Sequence, residues 1–386
     1  MSPETLKVAL VGLGYWGPNL LRAATDLDDV EVTTLCELDP DRLARHGRRA
    51  PLARLTRRFE DVLEDDSLDA VILATPIASH DVFAKLCLEA GKHVLVEKPM
   101  ARSPNAAQEL IEQASLRNLI LMPGHTFLYS PPVVAVKRML ERDDLGDVYF
   151  ITSTRVNLGI HQSDASVIED LGPHDFSILC YWLGRPSSMR AVARDSVVPG
   201  TWDVAFIDLI YASGTIVRLE ISWLAPTKLR RTVVAGRKAM VVYDDTSNEQ
   251  VRVFDCGIDV VDPQNFGEHR LSYRLGDVVS PRLDGTEPLR LELGDFASSI
   301  RSGRQPRSHM ALGYDVVRMI DAAEMSIRHN GAPVPLDTPP EDRRRVPDRR
   351  RNGHGDSPLD PSRFGRRWDD TLALSGAVGD HSNGGR

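Results

Sequence analysis

Asp170 and His174 stand four apart in the run Asp-Leu-Gly-Pro-His-Asp (170–175). That spacing brings both side chains to one side of a helical turn, with Pro173 placing the pair at a helix entrance. A histidine titrating near neutrality can take the proton of an alcohol while hydride leaves its carbon, and a neighbouring carboxylate can orient the ring. The same residues also fit a bland reading, an N-capping Asp170 with a structural His174 and Asp175 in the cap region. Lys98, in Glu97-Lys98-Pro99, follows an apolar run that reads as a strand. At the carboxyl edge of an open α/β sheet a lysine faces the nicotinamide end of a dinucleotide, where its charge stabilises a developing oxyanion. Thr75-Pro76-Ile77-Ala78-Ser79-His80 ends a neighbouring strand, so His80 either lines the cofactor or packs.

Gly-Leu-Gly-Tyr-Trp-Gly (12–17) lies between an apolar strand and a helix. Gly12 suits the tight turn, Gly14 lets backbone approach a pyrophosphate, and Gly17 lets helix and strand pack closely. Tyr15 and Trp16 complete the turn, and with Arg42, Thr75, Pro76, His80, Glu97 and Lys98 they are expected to contact the cofactor. Glu37 falls twenty residues after Gly17, at the end of the second predicted strand, where a carboxylate accepts ribose hydroxyls and repels a 2′-phosphate. NAD is therefore expected in preference to NADP, although Arg42 is near enough to soften the choice.

The elements that must position these residues follow from periodicity. Strands at Lys7–Val11, Val30–Cys36, Ala70–Ala74, His93–Glu97 and Leu119–Met122 alternate with helices at Pro18–Leu27, Asp39–Arg48, Phe59–Asp65, Ser79–Ala90 and Ser103–Arg117, the rhythm of a doubly wound parallel sheet. From Phe150 onward strand-like alternation dominates, with Gly214 at a hairpin and helices at Pro173–Leu183, Leu289–Ser302 and Ala311–Asn330. The expected fold class is an α/β Rossmann domain over 1–125 and an α+β domain with a mainly antiparallel open sheet over 126–337. A tail over 338–386, with ten arginines against eight acidic residues, is expected to be disordered.

The 386 residues carry 47 basic and 55 acidic side chains, a net charge of -8 that gives no general attraction to nucleic acid or anionic lipid. Small-molecule chemistry is the better expectation. Cys36, Cys87, Cys180 and Cys256 are widely spaced, without a zinc or disulfide pattern, and read as reduced residues of a cytoplasmic protein. No metal ligand set is apparent. No apolar run reaches the ~18 residues of a membrane span.

Taken in order, Val-Gly-Leu-Gly-Tyr-Trp-Gly (11–17), Ala-Thr-Pro…His (74–80), Val-Glu-Lys-Pro (96–99) and Asp-x-x-x-His-Asp (170–175) resemble the Gfo/Idh/MocA family of NAD(P)-dependent sugar and cyclitol oxidoreductases, over residues 6 to about 336. Gly-Tyr-Trp-Gly-Pro-Asn (14–19), the run 155–164, 170–175 and Met-Val-Val-Tyr-Asp-Asp (240–245) look like the branch containing UDP-N-acetylglucosaminuronate 3-dehydrogenase. The resemblance implies that Lys98 touches substrate near the nicotinamide, that His174 is the acid/base, and that Asp170 supports both. It also implies substrate contacts from Arg155, Asn157 and His161, oxidation at carbon 3 of a nucleotide-linked sugar, and a homodimer or homotetramer. Phe127-Leu128-Tyr129 replaces the Arg-Arg-Phe of many members, which argues against importing inositol or glucose–fructose specificity. Glu292-Leu293-Gly294-Asp295-Phe296 and His309-Met310-Ala311 are atypical for the branch. The competing readings are an enzyme of free sugars, sugar phosphates or inositol, and a non-catalytic NAD-binding regulator tethered by its arginine tail.

Overall fold

A computed structural model describes residues 5–159, 161, 165–261 and 270–336. The arginine-rich tail, and positions 160 and 162–164 of the branch motif, lie outside the described residues.

The first half builds on β1 (Leu6–Val11), α1 (Gly17–Thr25), β2 (Val30–Cys36), α2 (Pro40–Gly47), β3 (Arg54–Thr56), α3 (Glu60–Leu63), β4 (Ala70–Leu73), α4 (His80–Glu89), β5 (His93–Glu97), α5 (Pro104–Leu116) and β6 (Leu121–Gly124). Its sheet runs in the order β3-β2-β1-β4-β5-β6 with every pair parallel. All four residues of β4 are buried, as a strand covered by helices on both faces requires. The short β3 was not legible as a strand. Local chemistry sets the helix starts: Asp39 accepts from the N–H groups of Asp41 and Arg42, and Ser103 accepts from that of Ala106, with Pro104 next. The order reverses between β1 and β4, so the carboxyl ends of these strands open a crevice where ligands of such sheets bind.

After α6 (Pro131–Glu141), unanticipated from the sequence, come β7 (Val148–Leu158), α7 (Val167–Asp170), α8 (Gly172–Leu183), β8 (Ser188–Arg194), β9 (Val204–Ile210), β10 (Ile216–Ser222), β11 (Leu224–Gly236), β12 (Met240–Asp244), β13 (Val251–Val261) and β14 (Arg270–Val279). The chain then forms α9 (Pro288–Ser302), α10 (Met310–Arg328) and β15 (Val334–Pro335). Among the described residues these strands make one nine-stranded sheet in the order β14-β13-β12-β11-β7-β10-β9-β8-β15. It is antiparallel except where β10 runs parallel to β7. Gly214 takes φ +87° in the β9–β10 hairpin, a conformation that glycine adopts without strain.

Two helices tie the second half to the first. In α10, Ser326 bonds to β8 through the Ala191 N–H at 2.8 Å, and a side chain placed on Gly313 would strike Pro123 of β6 at 2.7 Å. α9 is preceded by Glu287, which receives Arg22 of α1, and ends near Arg301, which pairs with Asp29. This return sets Glu292 against the end of β6, where Thr126 donates to it at 2.7 Å.

Candidate active site

The glycine-rich turn after β1 is shaped for close backbone approach. A Cβ on Gly12, whose φ is +94°, would lie 2.5 Å from the Ala74 carbonyl oxygen, and one on Gly17 would meet the Gly12 carbonyl. Gly14 instead faces open space, its nearest such neighbour being the Arg42 guanidinium at 4.0 Å. A backbone cradle open above Gly14, at the start of α1, fits a pyrophosphate. Glu37 braces the turn: its carboxylate accepts from the Leu13 N–H at 2.5 Å and the Asp39 N–H at 3.0 Å, and its remaining lone pairs can receive ribose hydroxyls. Arg42 is exposed and pairs with Asp39 at 3.3 Å. Tyr15 projects to solvent at 93% exposure, whereas Trp16 is at 37%.

Behind this cradle, His80 is fully buried. Its Nδ1 lies 2.8 Å from the Pro99 carbonyl oxygen and its Nε2 2.7 Å from that of Thr75. The imidazole thus spans the turn after β4 and the Lys98-Pro99 turn after β5, and burial lowers its pKa. Of the two roles open to His80 from sequence, this is the packing one. Thr75 and Pro76 begin the same turn, with the Thr75 hydroxyl accepting from Ser79 at 2.8 Å.

Lys98 reaches across to the second half. Its Nζ donates to the Asp170 carbonyl at 2.8 Å and to Asp170 Oδ1 at 3.1 Å, and the Trp223 indole N–H donates to Asp170 Oδ2 at 3.2 Å. Asp170 ends α7, whose true N-cap is Ser166 in a capping box with Glu169. The capping role considered for Asp170 is therefore replaced by an ion pair. Asp175, the other cap candidate, is buried in the first turn of α8 and takes Arg155 Nε at 2.5 Å and Ser153 Oγ at 2.9 Å.

His174 begins α8 beside these groups, with Nδ1 buried and without a protein partner. Burial first, then the charges of Lys98, Arg155 and Arg230, drive its pKa well below the ordinary histidine value, so the ring is neutral at pH 7 and free to accept a proton. The edge of Phe127 packs against it, with ring centroids 4.9 Å apart. Phe127 in turn lies against two guanidinium groups, Arg155 at 4.6 Å and Arg230 at 5.6 Å from its centroid. Arg155, for which the resemblance implied a substrate contact, is 5% exposed and forms a buried ion pair, with Nη1 alone among its nitrogens lacking a partner. Asn157, two residues on along β7, is half-buried. His161 rests on Trp223 with centroids 5.1 Å apart, its Nε2 3.9 Å from buried Asp203.

Sequence reasoning missed Trp223, Phe127, Arg230 and His125. Trp223, at the bend between β10 and β11, and Arg230, within β11, have no motif around them. Phe127 was noticed only as a departure from Arg-Arg-Phe, and His125, buried with neither ring nitrogen partnered, gave no signal. Among the described residues no group of three or more His, Cys, Asp or Glu is placed to hold a metal ion. Nor is any helix there long and apolar enough to cross a membrane.

Comparison with known proteins agrees with this architecture. The profile described as "Oxidoreductase family, NAD-binding Rossmann fold" (GFO_IDH_MocA) matches residues 6–125, and the "GFO/IDH/MocA C-terminal domain" matches 133–242. D-apiose dehydrogenase of Paraburkholderia graminis is 29% identical over 230 residues, 57% of this chain and 61% of that protein. Inositol 2-dehydrogenase 2 of Saccharopolyspora erythraea is 27% identical over 226 residues, 56% of this chain and 66% of that protein. The chain thus spans less than two thirds of the length of either relative. Among solved structures, GenD2 from gentamicin A biosynthesis, in complex with NAD, superposes with a TM-score of 0.74 at 22% identity, covering 88% of this chain and 98% of that one. Levoglucosan dehydrogenase with NADH and levoglucosan gives 0.75 at 18%, covering 87% and 100%.

Proposed function

Because the chain belongs to the Gfo/Idh/MocA oxidoreductase family, we propose that it oxidises a secondary ring hydroxyl of a sugar, with NAD as the hydride acceptor. The observation that carries this reading is the Lys98–Asp170 contact beside a neutral His174, which unites a cation, a carboxylate and a base drawn from two halves of the chain. His174 takes the hydroxyl proton on Nε2, the nitrogen that is not enclosed. Lys98, held by Asp170, faces the oxygen as negative charge develops there. Trp223 fixes the second oxygen of Asp170 and so the direction of the ammonium. Gly12, Gly14 and Gly17 would hold NAD at their turn, with Glu37 available to ribose hydroxyls, and NAD would supply the two-electron acceptor. The same groups serve ketone reduction in reverse.

The preferred substrate is a nucleotide-linked hexose or hexuronate such as UDP-N-acetylglucosaminuronate, oxidised at carbon 3. Arg230, part-exposed near His174 although paired with Asp245 at 3.0 Å, supports an anionic sugar, and Phe127 in place of an arginine supports a pocket unlike that of the inositol enzymes. A second reading, a free sugar or polyol, is favoured by the similarity to D-apiose dehydrogenase and inositol 2-dehydrogenase 2. A homo-oligomer is supported by the outer face of the large sheet, where Phe150, Ile216 and Ile210 sit side by side in register and are 44%, 51% and 39% exposed. The four free cysteines suit a reducing, cytoplasmic setting.

The test pairs a substrate panel with two variants. NADH formation is followed with nucleotide sugars, sugar acids and free polyols, and oxidation of free polyols alone would replace the preferred substrate by the second reading. Lys98→Ala and His174→Ala should each lower turnover by about 10²–10⁴-fold while leaving NAD affinity near normal. Unchanged turnover in both rejects the mechanism.

A further inference from the structure

Beneath the reacting edge lies a set of buried ionisable groups that the proposed mechanism does not use. Glu97, the last residue of β5, turns its side chain inward. Its Oε2 accepts from the Lys98 N–H at 3.2 Å, while Oε1 is enclosed without a partner. Glu292 enters from α9, with no solvent exposure. Its Oε2 accepts from Thr126 at 2.7 Å and its Oε1 likewise has no partner. Gly124 pairs with Glu97 across the sheet, and a side chain there would meet Glu97 Oε1 at 3.1 Å, while Thr126, two residues on, holds Glu292. Next to Gly124 is His125, buried with both nitrogens unpartnered.

Two carboxyl groups enclosed in one place cannot both ionise cheaply, because each charge is desolvated and repels the other. Burial pushes Glu97 up to about 7, against the opposing pull of Lys98 and the Trp16 indole. Burial, then Glu97, then Asp295 hold Glu292 well above the usual carboxylate range. His125 is driven down to about 3 by burial and by Lys98, so it carries no charge that could answer theirs. The charged neighbours facing the pair are therefore Lys98 on its own strand end and Asp295 on α9.

Trp16 connects this pair to the cofactor turn, since the indole of the glycine-rich segment lies against Glu97. Glu37 marks the adenosine side of the sheet, so the other end of the dinucleotide extends over the ends of β4, β5 and β6. The nicotinamide ring is cationic when oxidised and neutral when reduced. We propose that Glu97 and Glu292, two buried carboxyl groups of one cluster, together release a proton when the oxidised cofactor binds and keep it when the reduced cofactor binds. The pair thereby matches its charge to the cofactor's redox state, favouring NAD binding at higher pH and making the affinity for NADH indifferent to pH across the same range. His174 and His125 are both held toward neutrality, by burial first and then by Lys98.

The experiment needs no sugar and so stands or falls apart from the substrate assignment. Proton exchange is measured by titration calorimetry of the full chain at pH 7 in two buffers of different ionisation enthalpy. Binding of NAD should release ~0.5 proton per site, and binding of NADH none. NAD affinity should rise ~10-fold between pH 6 and 8 while that of NADH stays level. Glu97→Gln and, as a second variant, Glu292→Gln should reduce or abolish the release. Equal proton exchange with both cofactors, or none with NAD, overturns the proposal. So does a release of wild-type size in both folded variants, Glu97→Gln and Glu292→Gln.

Discussion

Breaking the ion pair of Arg155 and Asp175 tests how the second half of the site is held. Both side chains are 5% exposed, joined through Nε and Oδ2 at 2.5 Å, with Ser153 donating to the other carboxylate oxygen at 2.9 Å. Asp175→Asn leaves the guanidinium charged, out of water and facing a neutral amide, which should cost about 3–5 kcal/mol. Arg155→Met leaves the carboxylate with Ser153 alone and should cost a similar amount. Replacing both, as Arg155→Met with Asp175→Leu, removes two desolvation penalties together and should recover most of the loss. For a chain of this size the single changes correspond to a fall in Tm of about 5 °C. Thermal unfolding followed by tryptophan fluorescence is suited to this, since Trp182 and Trp223 are both buried in the second half. Asp175→Asn within about 1 kcal/mol of wild type would refute the reasoning. So would a double variant as unstable as the two single losses added together.

Trp223→Phe removes the 3.2 Å indole bond to Asp170 while keeping an aromatic ring in the core, and should lower kcat by roughly tenfold with little change in KM. A proportional rise in KM at constant kcat would assign Trp223 to substrate binding instead. Arg230→Gln removes one of the cations that depress His174, so the histidine pKa rises and the acidic limb of kcat/KM moves to higher pH. An unmoved limb in the pH profile would mean that His174 is not the titrating base.

Much of the site was legible because its signals are local. The glycine turn, the carboxylate after β2 and Lys98 all follow short apolar strands whose ends a periodicity argument can place. Val30–Cys36 and His93–Glu97 match their strands end to end. The second half was legible as a type of sheet but not in detail: β14 and α6 had gone unread, and the parallel run of β10 beside β7 depends on a crossover that no short window contains. Asp170 and His174 were found together because they are four residues apart, yet the same spacing fitted a helix cap. Only Lys98, seventy-two residues earlier in the chain, separates the two readings by occupying the carboxylate.

Alone, the sequence determined the backbone cradle, the order of strands and helices in the first half, and the residue types available for proton and charge chemistry, since each rests on interactions within a few positions. Tertiary structure decided which charges answer one another. Asp175 belongs to Arg155, Asp170 to Lys98 and Trp223, and Glu292 to the space beneath Glu97, across separations of 20, 72, 53 and 195 residues. Protonation follows from those meetings, because a buried imidazole or carboxyl takes its charge from what the folded chain sets beside it and from the water it excludes.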